Sequence, residues 1–245
     1  LLDLVGEWYK TFDLHASYKL ATRPEKRLGT EAQWDAAEAT LHDALKANGL
    51  AYELNPGDGT FYGPKIDICV ADALGRSWQI ATIQVDLTML PERFQLEYID
   101  TDGQPKRPVV IHRVIFGSYE RFIGILIEHY AGAFPTWLAP VQARVLSVSE
   151  KHAEYARAVH AKLRGARVRA ELDDRNEKLG YKIREAQLRK VPYMLVVGER
   201  ESQSGTVSLR HRTGEDLGAI PLDRVLADLA REIGARASGL NVGRS

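Results

Sequence analysis

The chain has 245 residues, of which 44% are apolar and 27% are charged. This balance is typical of a folded globular protein and excludes a disordered chain. The single cysteine, Cys69, excludes an internal disulfide and a multi-cysteine zinc site. We therefore expect the protein to work in the reducing environment of the cytosol. No apolar stretch is long enough to span a membrane. Because the sequence begins without Met inside an apparently helical segment, we expect it to be part of a longer protein.

The 33 basic and 33 acidic residues give a formal net charge of zero, but the two signs are unevenly distributed. Residues 1–140 contain 13 Lys and Arg against 19 Asp and Glu, giving −6, and residues 141–245 contain 20 against 14, giving +6. The sign changes near Pro135 and Pro140, which indicate a domain joint. We therefore predict domains over residues 1–138 and 139–245. The basic half could contact phosphate, although charge alone favours a solvated surface.

In chain order, the first domain is predicted to contain a helix over residues 30–48, followed by short strands. The strands are predicted over residues 65–70, 77–85, 94–98 and 108–116. The Asp102-Gly103 pair is a hairpin turn signal, and hairpins of this kind favour an antiparallel sheet. A further helix begins at Ser118, which is a suitable N-terminal cap, and continues through Tyr130.

The second domain alternates strands and helices at a spacing typical of βαβ units. Its strands are predicted over residues 143–148, 167–172, 193–197 and 205–212. Its helices are predicted over residues 150–164, 178–190 and 222–233. This alternation favours a mostly parallel sheet flanked by helices.

The junction between a strand and a helix at Gly117 and Ser118 is a candidate anion site. Backbone N–H groups and the helix dipole converge there, which favours an anion such as phosphate. Arg121, in the first helical turn, is unfavourable for the dipole, so we expect it to have a phosphate or carboxylate partner. His112 on the preceding strand is a plausible metal ligand, although a lone histidine is more often a hydrogen-bonded core residue.

The segment FYGPKID (residues 61–67) makes a tight Gly-Pro entry to a strand, with Tyr62 and Lys65 at its mouth. Lys65 could bind phosphate or carboxylate, but the pattern alone favours an edge-strand turn with a solvated lysine. Gln79 and Gln84 on the next strand could fix a polar substrate or bond to neighbouring backbone. Because they are five positions apart, a shared site requires a bulge or bend between them.

A third candidate segment is the basic helix predicted over residues 178–190. Asn176 precedes it and is a suitable N-terminal cap. The basic residues of the helix are Lys178, Lys182, Arg184, Arg189 and Lys190. A helix of this kind can face phosphate but does not by itself specify RNA.

Together these segments resemble the threonyl-tRNA synthetase family. The resemblance is carried by the Gln79 to Gln84 strand and by LATRPEKRLGT (20–30), FYGPKIDI (61–68), VVIHRVIFGSYERFIGILIEHYAGAFPTWLAPVQ (109–142), LDDRNEKLGYKIREAQLRKVPYMLVVGERE (172–201) and GTVSLRHR (205–212). It covers all but about the last dozen residues. The fold it implies is an α+β antiparallel sheet, part of a class II catalytic domain, followed by an α/β anticodon-binding domain with a mixed sheet.

The resemblance also implies roles for individual residues. It implies that Lys65 and Arg121 are catalytic and that His112 is the last of three protein ligands to a zinc ion. The residues implied to bind threonine and ATP are Tyr62, Lys65, Gln79, Gln84, Ser118 and Arg121. The residues implied to contact anticodon bases are Asn176, Arg184, Glu201 and Arg210.

The activity implied by the resemblance is that of a threonine–tRNA ligase, which activates threonine with ATP and transfers it to tRNA(Thr). The family works in the cytoplasm as a homodimer, with one Zn²⁺ per active site and Mg²⁺ with ATP. Motif 1, motif 2 and two zinc ligands are expected upstream of Leu1, and Cys69 matches no zinc-ligand position. We therefore expect this chain to be inactive alone and His112 alone not to retain zinc. The alternatives are a non-catalytic tRNA-binding truncated paralogue and a related class II synthetase of the prolyl or histidyl type.

Overall fold

The computed structural model describes residues 1–243, which form two compact units that divide between His129 and Tyr130. The predicted boundary at residue 138 lies slightly further along the chain, and it stays a prediction. Residues 130–140 contain no charged side chain, so the unequal charges of the two halves, −6 and +6, also describe the two units.

The first unit contains four helices and seven strands. The helices are α1 (Leu2–Thr11), α2 (Glu31–Ala47), α3 (Met89–Arg93) and α4 (Tyr119–His129). The strands are β1 (Ala16–Ala21), β2 (Tyr52–Asn55), β3 (Lys65–Ala71), β4 (Ser77–Asp86), β5 (Tyr98–Ile99), β6 (Pro105–Lys106) and β7 (Val110–Val114). The main sheet has the order β2-β1-β3-β4-β7, and only the β1–β2 pair is parallel. Strands β5 and β6 form the hairpin predicted at Asp102-Gly103.

The prediction of a strand over residues 94–98 is wrong, because helix α3 ends at Arg93, a turn follows it at residues 94 and 95, and β5 begins only at Tyr98. The carboxylate of Asp86 accepts hydrogen bonds from the backbone N–H groups of Thr88, Met89 and Leu90, which begins a helical turn directly after β4. This side-chain cap competes with extended structure, and a propensity argument does not register it.

Aromatic packing joins helix α1 to the end of β7. The ring centroids of Phe116 and Phe122 are 4.6 Å apart, and Phe12 packs edge-on against Phe122 at 5.1 Å. The hydroxyl of Tyr9 donates to the carbonyl of Ile115 at 2.8 Å. Burial, followed by charge repulsion, raises the pKa of Tyr9 and keeps it a neutral donor. Contacts from helix α1 and Phe12 therefore stabilise the turn from β7 into α4.

The second unit has a mixed sheet with helices on both faces. Its strands are β8 (Ala143–Ser147), β9 (Ala170–Asp173), β10 (Tyr193–Val197), β11 (Thr206–His211) and β12 (Asp216–Pro221). Its α-helices are α5 (Ala153–Gly165), α6 (Leu179–Leu188), α7 (Glu199–Ser204) and α8 (Leu222–Gly234), and a 3₁₀ turn precedes α5 at Glu150–His152. The strand order is β12-β11-β10-β8-β9, with β9, β8 and β10 parallel and the other two pairs antiparallel.

Two hydrophobic layers hold this second sheet. Residues of α5 and α8, including Val159 and Leu229, pack on one face with Val145 and Leu195. Ala186 of α6 packs on the other face, against the side chains of β8 and β10. The fold therefore agrees with the expected small α/β domain with a mixed sheet.

The glycine before β3 generates a prediction about the first unit. A Cβ atom added at Gly63 would lie 1.8 Å from the carbonyl oxygen of Val85, a backbone atom that cannot move independently of β4. We expect Gly63→Ala to lower the free energy of unfolding by about 1–3 kcal/mol, the usual cost of overpacking. Urea unfolding followed by tryptophan fluorescence measures this change.

The matched control for Gly63→Ala is Gly124→Ala in helix α4, where an added Cβ meets no atom within 4 Å. Alanine is a better helix former than glycine, so the free energy of unfolding of this variant should rise by about 0.5–1 kcal/mol. Equal stabilities of the two variants would contradict the close approach at Gly63.

Candidate functional site

One face of the first sheet carries several of the residues singled out in the sequence. Strand pairing places Lys65 of β3 opposite Gln84 of β4, and Gln84 opposite His112 of β7. Side chains opposite one another on adjacent strands project from the same face. The next row along this face contains Asp67 and Thr82. The structure thus brings three predicted site residues into a single cross-strand row.

A β-bulge brings Gln79 to the same face. The pairing between β3 and β4 shifts after Ile68, and Ile80 of β4 is the extra residue. The bulge restores Gln79 to the side that carries Gln84, as their spacing of five positions requires. The amide of Gln79 accordingly donates to the carboxylate of Asp67. A shared site for Gln79 and Gln84 was predicted to require a bulge between them, and the structure contains this bulge.

Asp67 organises this face, although it is not among the site residues predicted from the sequence. Its side chain is buried, and it accepts a hydrogen bond from the Nζ atom of Lys65 at 2.6 Å and one from Gln79. Asp58 lies 3.3 Å from the same Nζ atom. Burial alone would lower the pKa of Lys65, but hydrogen bonds and charge from the two aspartates raise it. Lys65 is thus a charged side chain fixed by two aspartates. It is not the solvated lysine that the sequence pattern alone favoured.

Tyr62 closes one side of the row. Its hydroxyl donates to Oε1 of Gln84 at 2.6 Å, and its ring centroid is 5.4 Å from that of His112. The Nε2 atom of His112 is 3.1 Å from Oδ2 of Asp86. In the described part of the chain, no three His, Cys, Asp or Glu side chains are grouped so that they could hold a metal ion. His112 therefore offers a single ligand.

The strand-to-helix junction has the geometry expected from the sequence. Gly117 has a φ of +61°, and the Oγ atom of Ser118 accepts the backbone N–H of Arg121 at 3.2 Å. Ser118 therefore caps α4, as predicted. The Arg121 guanidinium lies 5.4 Å from the ring centroid of Trp78, a cation–π arrangement. Within residues 1–243 it makes no ion pair, and its protein hydrogen bond is a long one, 3.4 Å, to the carbonyl of Gln79.

Trp78 is held in place by a buried carboxylate. Its Nε1 atom donates to Asp72 at 2.8 Å, and Asp72 also accepts the Nε atom of Arg76 and the backbone N–H of Leu74. Burial would raise the pKa of Asp72, but these hydrogen bonds outweigh burial and lower the pKa to about 2. Arg76 lies 5.6 Å from the Trp78 ring. It is committed to Asp72, whereas Arg121 keeps its charge available.

The four predicted anticodon residues lie on separate elements of the second unit. Asn176 is exposed in the loop after β9, Arg184 is exposed on α6, Glu201 is on α7 and Arg210 is on β11. Helix α6 begins at Leu179, so the prediction that Asn176 caps it is wrong. Among the residues described, no hydrogen bond joins any two of the four.

Two of these residues lie on the same side of the second sheet. Arg210 pairs with Met194, and Met194 packs in the layer beneath α6, the helix that carries Arg184. Arg210 also forms an ion pair with Asp216. Glu201 instead accepts the backbone N–H of Gly198 at 3.0 Å and so stabilises the start of α7. The exposed surface on the α6 side of the sheet is therefore the candidate surface for a polyanion.

The basic helix of the sequence analysis is less uniform in the structure. Lys182 is fully buried, and its Nζ atom donates to the carbonyls of Ser147 at 2.9 Å and Asp173 at 3.2 Å. It ties α6 to the ends of β8 and β9 and does not contribute to a basic surface. Arg175 bonds to both carboxylate oxygens of Asp173, which lowers the pKa of that carboxyl, and also to Glu185. The loop that carries Asn176 is therefore anchored.

Comparison with known proteins covers nearly the whole chain. A family model described as tRNA synthetase class II core domain (G, H, P, S and T) matches residues 1–130, and an anticodon binding domain model matches residues 142–232. The threonine–tRNA ligase of Caldanaerobacter subterraneus subsp. tengcongensis is 56% identical over 237 residues, which are 97% of this chain and 37% of that protein. The threonine–tRNA ligase of Solidesulfovibrio magneticus is 58% identical over 91% of this chain and 34% of that protein.

A solved structure supports the same relationship. The RNA binding domain of threonyl-tRNA synthetase from Cryptosporidium parvum Iowa II superposes with a TM-score of 0.89 at 43% identity, over 94% of this chain and 58% of that one. The present chain spans little more than a third of the length of its curated relatives. From its core and anticodon domains together, the chain belongs to the class II tRNA synthetase family, and the relatives and the solved structure described above are threonyl members of it.

Proposed function

We propose that this chain is the part of a threonine–tRNA ligase that contributes to threonine and ATP binding and recognises the anticodon of tRNA(Thr). The observation that carries the proposal is the row of Lys65, Gln84 and His112, closed by Tyr62. The strand residues share one sheet face, and Tyr62 bonds to Gln84. The family resemblance implies threonine contacts for Tyr62 and Gln84, nucleotide and adenylate contacts for Lys65, and a zinc-ligand role for His112. The two alternatives are not favoured, since relatives named threonine–tRNA ligase are 56% and 58% identical over almost all of the chain.

In the proposed reaction, the threonine carboxylate attacks the α-phosphate of ATP, and the threonyl group is then transferred to the terminal ribose of the tRNA. Lys65 and Arg121 are suited to balance the charge that develops on the phosphates, because both cations are already positioned. Ser118 accepts the backbone N–H of Arg121 at the helix start, and Mg²⁺ would accompany the ATP. Tyr62 and Gln84 present a hydroxyl and an amide suited to polar groups of threonine.

Zinc is the proposed means of distinguishing threonine from its near isostere valine, which an apolar pocket rejects poorly. A zinc ion held by three protein ligands would have room for both an amine and a hydroxyl on expansion to five-coordination, and valine lacks the hydroxyl. His112 fits the requirement for a nitrogen ligand, but it is only one donor. We propose that the other ligands belong to a part of the protein outside this chain, as do the residues that complete a cytoplasmic homodimer.

The site of Arg121 generates a prediction for the longer protein that contains this chain. Removal of one positioned charge donor lowers the rate of a charge-developing reaction by about 10²–10³-fold. We expect Arg121→Gln to lower kcat/KM for ATP in threonine-dependent ATP–pyrophosphate exchange by a factor in that range.

Arg76→Gln is the matched control, because Arg76 lies against the same Trp78 ring but is bonded to Asp72. It should leave kcat/KM for ATP close to that of the unaltered protein. If the two variants lose activity equally, Arg121 has no special part in ATP binding.

The second unit generates a prediction for tRNA binding by the 245-residue chain. We expect salt-sensitive binding of tRNA that carries a threonine anticodon, because phosphate contacts release counterions. Arg184→Ala should weaken this binding by about 1–3 kcal/mol if Arg184 reads a base. Filter binding or fluorescence anisotropy at two salt concentrations measures both effects.

Arg164→Ala removes the same charge from an exposed position of α5, the helix on the opposite face of the sheet. It should leave binding almost unchanged. Equal losses for the two variants, or equal affinity for tRNAs with unrelated anticodons, would contradict the proposed recognition surface.

A further inference from the structure

Asp86 is a buried carboxylate whose two oxygen atoms are both occupied by N–H donors. Its side chain is fully buried at the end of β4. Oδ1 accepts the backbone N–H of Thr88 at 3.1 Å and that of Met89 at 2.8 Å, and Oδ2 accepts the N–H of Leu90 at 3.2 Å. An ionised carboxylate at which three N–H donors are directed has no hydrogen of its own to donate. Asp86 therefore acts only as an acceptor.

His112 is the remaining group in contact with this carboxylate. Its Nε2 atom lies 3.1 Å from Oδ2 of Asp86. Since Oδ2 can only accept, the hydrogen between the two atoms belongs to Nε2. A neutral imidazole carries one ring hydrogen, so Nδ1 must then carry a lone pair. No hydrogen bond from the described residues reaches Nδ1.

Neighbouring contacts restrict the orientation of the His112 ring. Gln84 is directly opposite His112 on β4, and Asp86 is two residues further along the same strand and on the same face. Such diagonal neighbours are within reach of long side chains. The Tyr62 ring packs against the imidazole at 5.4 Å and is itself hydrogen-bonded to Gln84. A flip of the imidazole would have to disturb this packing.

We propose that Asp86 is a positioning residue that holds His112 with its hydrogen on Nε2 and its lone pair on Nδ1. The carboxylate does this from the interior, so that the ring nitrogen that receives no hydrogen bond from the described residues is the one that can bind an electron-pair acceptor. The consequence for a metal rests on the function proposed above: the atom of His112 that ligates zinc is then Nδ1. The tautomer itself does not depend on zinc.

The direct test is nitrogen-15 NMR of the 245-residue chain with labelled histidine rings, at a pH above the range in which imidazole titrates. Long-range ¹H–¹⁵N correlations distinguish a protonated from an unprotonated ring nitrogen. The spectrum contains seven histidines, and His112→Gln identifies the signals of His112 by their loss. We expect a protonated Nε2 and an unprotonated Nδ1. A hydrogen on Nδ1 in the unaltered protein overturns the proposal without any variant.

Asp86→Asn tests the cause of this tautomer. The asparagine oxygen can keep the bonds from Thr88 and Met89, while its NH₂ group takes the place of Oδ2 beside His112 and gives up the bond from Leu90. An NH₂ group donates to Nε2, so the ring hydrogen should move to Nδ1. Persistence of the Nε2-protonated tautomer in a folded Asp86→Asn protein contradicts the proposal. Backbone ¹H–¹⁵N spectra establish whether the variant is folded.

Asp67→Asn is the matched control, because Asp67 is the other buried carboxylate on this sheet face and makes no hydrogen bond with His112. It should leave the tautomer of His112 unchanged, and a change there would also contradict the proposal. In the longer protein, loss of such an outer partner lowers metal affinity by about 10–100-fold, which chelator competition measures. Absence of zinc from that protein would overturn the proposed metal but not the tautomer.

Discussion

The register of strands β3, β4 and β7 is the constraint on which the first unit depends. A slip of one residue would transfer every side chain of a strand to the opposite face. The observed register places Lys65, Gln84 and His112 in one row. The bulge at Ile80 then allows Gln79 to join the same face although its spacing is odd. The polar character of this face is therefore a consequence of strand pairing, supported by the apolar side chains on the opposite face.

Buried carboxylates fix the positions of the polar side chains on and beside this face. Asp67 holds Lys65 and Gln79, Asp86 holds His112, and Asp72 holds Trp78, against which Arg121 rests. A buried anion is costly unless it is hydrogen-bonded, and each of these accepts several donors. The acidic charge of the first unit thus includes groups that orient cations and ring nitrogens. The positive net charge of the second unit suits a polyanionic partner. Lys182 does not contribute to that surface, because it is buried and bonded to the backbone of Ser147.

The sequence was sufficient for features that depend on local chemistry, such as strand β10 at Tyr193–Val197, the Ser118 cap and the need for a bulge. Family resemblance supplied the candidate residues. Features that depend on tertiary contacts were missed or wrong, including helix α3, which Asp86 begins, and the burial of Lys182. Asp67 left only a weak signal, a carboxylate two positions from Lys65 and hence on its face. The sequence neighbours of a residue such as Lys182 do not show which distant strand will supply its hydrogen-bond acceptors.

The proposal that the polar sheet face is part of a threonine-activating site is tested most directly by ATP–pyrophosphate exchange. The assay compares the 245-residue chain with the longer protein that contains it, using threonine and valine as substrates. We predict threonine-dependent exchange by the longer protein, much weaker exchange with valine, and none by the chain alone. Exchange by the isolated chain, or equal use of valine by the longer protein, would contradict a shared site in which His112 is one of several zinc ligands.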